Sequence, residues 1–417
     1  MVEASSELSR PHAIRIIAAL RQGSNCLEGV GAFSVGRAIL LRAAEEELEE
    51  LELTNGASVR WLKGRYGHGK THMFAKLMEL AHSRNWVTSY FQIRLPGQGL
   101  ELARFNEVYA AIISNFLCKG MIEEEDGQVN PGNKSGWNWI LDNWWIALRR
   151  QVGGTSGDIP TFRLQDTINS SITVLQQKWS ITGSFLEALR QYALGRSEND
   201  QDWIAVIQAW FIGEDVHARG GETRRRLKES GIRVSLNRRN AKEMLRCLSA
   251  FLRSREFGGV MILLDELENV LQAARKARRE SYTVLRELID NVDDRHGMTS
   301  ACFYNAGTPD LFEAENGLIE YEALAERVLL QRSTGSNNPR ASMIDLSQFP
   351  LDRKAFEEMA QRIVHLYEIA KGREAQTTIN QELLSLLDDL LKRNPDANAR
   401  IWVRSVVDFL DIEFGTR

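Results

Sequence analysis

The chain has 417 residues, of which 43% are hydrophobic and 26% are charged, as is usual for a water-soluble globular protein. Lysine and arginine number 52 against 56 aspartate and glutamate, so the net charge is -4. This balance excludes a protein coated in positive charge for non-specific nucleic-acid binding, although it leaves room for a local basic groove. No apolar run is long enough for a membrane span, and the first residues do not resemble a secretion signal. The four cysteines are scattered without CxxC spacing, which predicts reduced thiols in the cytoplasm.

The first 56 residues are predicted to be helical around a glycine-punctuated loop. Apolar residues recur at helical spacing over 14–20, and 41–53 carry a glutamate-rich amphipathic face. A short strand at 58–62, a glycine-rich loop, a helix and a second strand at 86–93 follow.

The stretch from 101 to 255 is predicted to be mostly helical and is rich in tryptophan. Helical spacing and apolar neighbours favour packing of these rings in a core over stacking on nucleic-acid bases. The tryptophans are Trp137, Trp139, Trp144, Trp145, Trp179, Trp203 and Trp210.

The second half returns to alternating strands and helices, with strands predicted at 260–264, 299–304 and 342–346. After Pro350 the pattern is purely helical. This order predicts an α/β fold with a parallel five-stranded core and a C-terminal helical lid. The predicted divisions are an N-terminal helical segment (1–56), the first part of the core (57–100), a helical insertion (101–255), the second part of the core (256–348) and the lid (349–417).

Residues 64–71 (GRYGHGKT) match the phosphate-loop pattern GxxxxGK[ST] in full, between a predicted strand and a predicted helix. The glycines let backbone N–H groups approach phosphates closely at the positive end of the helix. Lys70 is expected to neutralise the β- and γ-phosphates of ATP, and the Thr71 hydroxyl to ligate Mg²⁺. The predicted nucleotide-binding residues of the loop are Gly64, Arg65, Tyr66, Gly67, His68, Gly69, Lys70 and Thr71.

Two carboxylates, Asp265 and Glu266, follow the apolar strand at 260–264. Ligands bind at the carboxyl ends of parallel strands, so this pair is expected beside the phosphate loop. Asp265 is then the second protein partner of Mg²⁺, and Glu266 the base for the attacking water. Glu268 is expected at the surface or behind the groups that touch the ligand.

Three further side chains are candidates for catalysis. Asn305 ends the strand next to the acidic one and is expected to reach the γ-phosphate or its water, with Thr308 as second choice; the alternative is an ordinary turn. Arg400 starts the last helix and could reach the nucleotide across a cleft. Arg327 is either an arginine finger for a neighbouring subunit's ATP or a surface arginine.

Basic residues cluster at 224–228, 238–239 and 275–279. Such clusters could attract a phosphate backbone, although a charge run on a helix is usually a solvated face. The third cluster follows the acidic pair closely, so that hydrolysis could move it.

The order of these motifs resembles AAA+ ATPases of the initiator-like branch, with Val35-Gly36-Arg37 ahead of an acidic helix. More closely, residues 12–412 resemble the ATP-binding proteins of BREX-type bacterial anti-phage systems. The segments that carry this likeness are 64–72 (GRYGHGKTH), 210–213 (WFIG), 264–268 (LDELE) and 306–312 (AGTPDLF). The resemblance implies that Val35, Gly36 and His72 also bind the nucleotide.

The same resemblance implies an ATPase with ATP and Mg²⁺ as cofactors that works as a motor or switch in a multi-protein defence complex. Its expected partners are DNA-modifying or nuclease subunits, DNA reached directly or through them, and further copies of the chain. Two alternatives stay open. One is a nucleotide-gated sensor without DNA contact, and the other is a scaffold whose ATP is structural.

Overall fold

A computed structural model describes residues 8–23, 29–98, 100–124, 135–153, 160–293, 297–329, 337–372, 381–393 and 399–415. Across those ranges, no helix is both long and apolar enough to cross a membrane.

Six strands form one sheet in the described part of the chain. They are β1 (Ala57–Lys63), β2 (Val87–Gln92), β3 (Phe116–Leu117), β4 (Val260–Asp265), β5 (Ala301–Gly307) and β6 (Met343–Asp345). The order across the sheet is β3-β2-β4-β5-β1-β6, and every neighbouring pair is parallel except β2 and β3. The carboxyl ends of β1, β4 and β5 therefore meet at one edge, where ligands of such sheets bind.

The short strand β3 corrects the predicted five-stranded core. It has two residues, which pair antiparallel with Thr88 and Ser89 at the edge of the sheet. Two residues are too few for the alternation of side chains that indicates a strand in a sequence. The five predicted strands are all present and parallel.

Two helices precede the predicted phosphate loop and one follows it directly: α1 (Arg10–Gln22), α2 (Ala38–Thr54) and α3 (Lys70–Ser83). The apolar stripe of α3, with Phe74 and Leu77 fully buried, packs on Met261 and Leu263 of β4. This packing fixes the start of α3 against the end of β4.

Helices fill the connection from β2 to β4: α4 (Phe105–Ser114), α5 (Lys119–Glu124), α6 (Gly136–Gln151), α7 (Thr161–Trp179), α8 (Gly183–Glu198), α9 (Gln201–Phe211), α10 (Gly221–Glu229) and α11 (Ala241–Ser254). Trp137 is at their centre, with its ring 5.1 Å from that of Phe211 and 5.6 Å from that of Phe251. Core packing of the tryptophans is confirmed for five of the seven, which are buried, while Trp139 and Trp179 are partly buried.

The remaining helices are α12 (Arg275–Asp293), α13 (Pro309–Glu313), α14 (Glu322–Leu329), α15 (Arg353–Lys371), α16 (Gln381–Arg393) and α17 (Ala399–Gly415). The predicted lid helices α15 and α17 pack with α1 around an apolar cluster of their own. Arg21 of α1 joins Asp411 of α17 through two hydrogen bonds, of 2.6 and 2.7 Å. The N-terminal helix α1 is therefore packed in the same apolar cluster as the C-terminal helices α15 and α17.

Candidate active site

The loop between β1 and α3 turns through two glycines in the left-handed region. Their φ angles are +81° at Gly67 and +85° at Gly69, which residues with a Cβ rarely adopt. A Cβ on Gly69 would also lie 3.1 Å from the Arg37 guanidinium. α3 starts at the next residue, so its unpaired N–H groups and the positive end of its dipole lie at the loop. Such a helix start is an anion site.

Lys70 is the first residue of α3, and its side chain returns to the loop. Its Nζ donates to the carbonyl oxygen of Gly64 at 2.8 Å and to that of Arg65 at 3.4 Å, and lies 5.2 Å from the centre of the Tyr66 ring. Burial lowers the pKa of Lys70, and nearby carboxylates, Glu268 first among them, oppose this shift. The ammonium is thus held by carbonyl oxygens that phosphate oxygens could replace.

Thr71 and Asp265 contact each other across the start of α3. Thr71 Oγ1 donates to Asp265 Oδ2 at 2.7 Å, and the Tyr90 hydroxyl donates to the same oxygen at 3.2 Å. Burial, followed by the charge of Asp265, raises the pKa of Tyr90, so its hydroxyl remains a donor. A hydroxyl and a carboxylate at this separation are oxygen ligands of the kind that Mg²⁺ prefers.

Glu266 follows in a left-handed conformation, with a φ of +57° that is uncommon for a residue other than glycine. Its N–H donates to Asp265 Oδ1 at 2.9 Å, and Asn269 Nδ2 donates to its Oε2 at 3.4 Å. Burial raises the pKa of Glu266, and the charges of Asp265 and Glu268 raise it further. A raised pKa makes a carboxylate a better proton acceptor near neutral pH.

Glu268 is not at the surface, which corrects the first of the two places expected for it. Its side chain is 6% exposed and lines the same cavity as Lys70 and Glu266. Oε2 accepts a hydrogen bond of 3.3 Å from the Thr308 N–H, whereas Oε1 has no partner among the described residues. Spacing alone cannot reveal this, because the turn after β4 directs the side chain inward.

The segment 33–37 forms the wall opposite the acidic residues, and it includes the predicted Val35 and Gly36. Arg37, a cavity residue absent from the prediction, donates to His68 O at 2.8 Å and to Phe349 O at 3.0 Å. Burial lowers the pKa of Arg37 to about 10. Its only signal in the sequence is its place at the end of the Val35-Gly36-Arg37 motif.

His72 lines the cavity on α3 and connects that helix to the opposite wall. Its Nε2 lies 2.6 Å from Ser34 Oγ, and its ring centre lies 5.6 Å from that of Phe33. Burial lowers the pKa of His72 to about 4, and the charges of Arg37 and Lys76 act in the same direction. His72 is therefore neutral near pH 7.

The C-terminal helices contribute the third wall. Arg400 lines the cavity together with its neighbours Ala399 and Val403 on α17 and Met359 on α15. The charge of Arg400 lowers the pKa of Lys70, so the two cations face the same space. Arg400 is thus beside the phosphate loop although 330 positions separate it from Lys70 in the sequence.

Two predicted catalytic residues do not line the cavity. Asn305 is 3% exposed, and its Nδ2 donates to Arg60 O at 3.4 Å. Successive side chains of a strand point to opposite faces, and Tyr304 on β5 packs on the face that α3 covers, so Asn305 points to the other. Arg327 pairs with Asp290 at 3.0 Å in the same chain.

The loop residues Gly64 and Arg65 do not line the cavity, while those from Tyr66 to Thr71 do. Among the described residues, no group of three or more His, Cys, Asp or Glu is placed to hold a metal ion. A cation beside Asp265 would therefore also need oxygen ligands from a molecule bound in the cavity or from water.

Residues 8–413 match the family described as BREX system ATP-binding protein BrxC/D. The match covers nearly the whole chain and confirms the resemblance found in the motifs. No curated protein and no solved structure matches the chain.

Proposed function

The chain belongs to the family of BREX system ATP-binding proteins, and we propose that it binds Mg-ATP in the three-walled cavity and hydrolyses it. The observation that carries this proposal is the contact between Thr71 and Asp265 beside Lys70, with the carboxylate of Glu266 next to it. In this proposal, an anion site, a cation site and a base lie within one cavity.

For binding, the N–H groups at the start of α3 and the Lys70 ammonium receive the phosphates. Thr71 and Asp265 are the residues that would hold Mg²⁺, which neutralises charge on the β- and γ-phosphates when bound. Val35, Gly36 and His72 form the opposite side of the nucleotide site in this proposal, and Arg400 closes it near the phosphates.

For hydrolysis, Glu266 takes a proton from the attacking water. The water oxygen bonds to the γ-phosphorus while the bond to the bridging oxygen breaks, and ADP leaves with that electron pair. The raised pKa of Glu266 supports this role because a base gains proton affinity as its pKa rises. The arginine-finger role of Arg327, and the homo-oligomer that it requires, remain part of the proposal.

At the level of the defence system, we propose that turnover drives a complex with other defence proteins that acts on DNA. The basic surface of α10 supports direct contact with a phosphate backbone. Arg224 and Lys228 on α10, and Arg238 and Arg239 between α10 and α11, are exposed, and no ion pair holds them within the described residues. Arg226 is different, because it pairs with Asp200 and does not offer a free charge.

A sensor ATPase without DNA contact is the second candidate, and the start of α12 favours it. Arg275 and Arg278 both pair with Glu320, at 3.1 and 3.0 Å, so part of the cluster that follows the acidic residues is already neutralised. Only Lys276 and Arg279 remain exposed there without an ion pair in the described chain.

The first experiment measures steady-state ATP hydrolysis and ATP affinity of the wild type, Glu266→Gln and Lys70→Ala. Glu266→Gln should lower turnover by about 10² to 10⁴ and keep ATP affinity. Lys70→Ala should weaken ATP binding by about 10- to 100-fold, since a charge-assisted contact of about 1.5–3 kcal/mol is lost. Glu315→Gln, an exposed carboxylate after α13, is the control. Normal turnover in Glu266→Gln would contradict the base assignment.

DNA separates the two candidates in the same assay. Turnover that rises with double-stranded DNA, and a rise lost in the pair Arg224→Glu and Lys228→Glu, would support action on DNA through α10. The pair Lys276→Glu and Arg279→Glu serves as the comparison on α12. Turnover that is indifferent to DNA in all variants would favour the sensor.

A further inference from the structure

Glu268 is the buried acidic group of the cavity that the proposed mechanism leaves without a task. Its Oε2 is occupied by the Thr308 N–H, but Oε1 is buried without a hydrogen-bond donor among the described residues. Leaving such an oxygen unpaired costs the desolvation of the group, and this cost is larger for a charged group. A cost of this kind is explained when a bound ligand or water supplies the missing donor.

The charge of Glu268 acts on the groups around the phosphate site. It is the first of the charges that raise the pKa of Lys70, it contributes to the raised pKa of Glu266, and it adds to the effect of burial on Tyr66. Glu268 therefore lies among the side chains that would surround a γ-phosphate.

The chemistry of the missing donor is restricted. Phosphate oxygens are acceptors and negatively charged, so they cannot satisfy a carboxylate oxygen. Lys70 Nζ donates to the carbonyl oxygens of Gly64 and Arg65. The Tyr66 hydroxyl faces Glu268, and a hydrogen bond between them contributes to the raised pKa of Tyr66, but Oε1 itself has no partner among the described residues. Water is the donor that fits Oε1, and Asn305, expected to hold that water, points to the opposite face of the sheet.

We propose that Glu268 accepts a hydrogen bond through Oε1 from the water that attacks ATP, and so orients this water while Glu266 removes its proton. One hydrogen of the water goes to Glu266, and the other stays on the oxygen that becomes part of phosphate, still donating to Glu268. The inference deepens the proposed function, because it rests on hydrolysis in this cavity.

The link to Thr308 makes a clean test available. In Glu268→Gln, the amide oxygen can still accept from the Thr308 N–H, so the turn before α13 keeps its bond. The side chain loses its charge and presents an N–H₂ group, a donor, where Oε1 was. A structural role through Thr308 would survive this change, whereas a role in holding water as an acceptor would not.

The experiment measures kcat and ATP affinity for the wild type, Glu268→Gln, Glu266→Gln and the double variant. Glu268→Gln should lower kcat by about 10- to 100-fold and change ATP affinity by less than about threefold. The double variant should be no slower than Glu266→Gln, since both residues act on one water.

Wild-type kcat in Glu268→Gln would overturn the inference while the proposed function stands. Loss of ATP affinity, or a double variant slower than Glu266→Gln by the full factor seen in Glu268→Gln, would overturn it as well, in favour of a structural role. If the wild type turns over no faster than Glu266→Gln, the proposed function fails first and the inference with it. Should Glu268→Gln not fold, Glu268→Asp, whose carboxylate is one methylene shorter, should lower kcat and keep ATP affinity, and wild-type kcat in that variant would overturn the inference.

Discussion

At the scale of single residues, burial is the largest cause of the pKa shifts of three cavity side chains. It lowers the pKa of Lys70 and His72 and raises that of Glu266, so all three shift toward their neutral forms. For Lys70, neighbouring carboxylates oppose the shift in pKa. For Glu266, the charges of Asp265 and Glu268 add to the shift, and Lys70 opposes it. For His72, the nearby Arg37 and Lys76 are cations and increase it.

His72 is expected to make folding stability depend on pH. Its pKa is about 4 in the folded protein and about 6.5 in an unfolded chain, so its contribution is complete above pH 6.5 and is lost as pH falls toward 4. Between about pH 7.5 and about pH 5, this loss amounts to about 2 kcal/mol. Urea unfolding at both pH values should show that His72→Gln reduces the difference by that amount.

His82 is the matched control, because burial also lowers its pKa to about 4 but it lies away from the cavity wall, beside Thr88. His82→Gln should reduce the same difference without changing ATP affinity. An unchanged pH dependence in His72→Gln would show that His72 is not held neutral by the fold.

At the scale of elements, the cavity depends on how closely the segment 33–37 approaches the start of α15. Gly36 has a φ of +84°, and a Cβ on it would lie 2.5 Å from Leu351 Cδ2. Arg37, the next residue, is also left-handed, with a φ of +55°, and holds the phosphate loop through His68. Two successive left-handed residues thus direct this wall against the loop.

Gly36→Ala is expected to destabilise the protein and to weaken ATP binding. The left-handed conformation costs about 1–2 kcal/mol for alanine, and the contact with Leu351 adds to this. Gly97→Ala is the control, because Gly97 has a φ of +76° and no atom within 4 Å of its Cβ position. Thermal unfolding should show a larger loss of stability for Gly36→Ala than for Gly97→Ala. Equal losses of stability would mean that Leu351 moves away from the added methyl group at no cost.

At the scale of the whole molecule, the cavity lies where two packing units meet. The sheet carries the phosphate loop and the acidic residues, and the cluster of α1, α15 and α17 carries Arg400. Within that cluster, the Asp411 carboxylate accepts hydrogen bonds from both the Arg21 guanidinium and the Tyr367 hydroxyl. The Arg21 hydrogen bond, followed by that of Tyr367, holds the pKa of Asp411 below its usual value against the effect of burial.

Asp411→Asn should loosen α17 and thereby the position of Arg400. The pair is partly exposed, with 42% of the Arg21 side chain and 32% of that of Asp411 accessible, so we expect a loss of only about 1 kcal/mol. The contribution is present at neutral pH and disappears below the ordinary pKa of aspartate, about 3.9.

The measurements are urea unfolding and ATP affinity at low and high salt. Glu229→Gln, which removes a more exposed pair with Arg225 on α10, should change neither quantity measurably. A loss of stability without any change in ATP affinity would show that α17 keeps Arg400 in place by apolar packing alone.

Much of the fold could be predicted from the sequence, because its signals are local. The predicted phosphate loop turns through left-handed φ angles at Gly67 and Gly69, which favour glycine. This requirement arises between residues adjacent in the chain, so the sequence pattern reveals it. The buried strand before Asp265 is an uninterrupted apolar run, so both its position and its acidic end are visible without the structure. The helical spacing of Trp137 and its neighbours likewise indicated burial.

What only the tertiary structure decided is which of these side chains meet. Asn305 and Glu268 both looked like residues near a strand end, yet the pleat of β5 points Asn305 away and the turn after β4 buries Glu268 in the cavity. Arg37 and Arg400 reach the phosphate loop from distant parts of the chain, and β3 exists only because the edge of β2 is there to pair with it. The sequence by itself thus determined the loop, the acidic pair and the family, because torsions and periodicities depend on adjacent residues. The direction in which a side chain points and the residues that it contacts depend on packing between residues hundreds of positions apart, and no local sequence pattern predicts them.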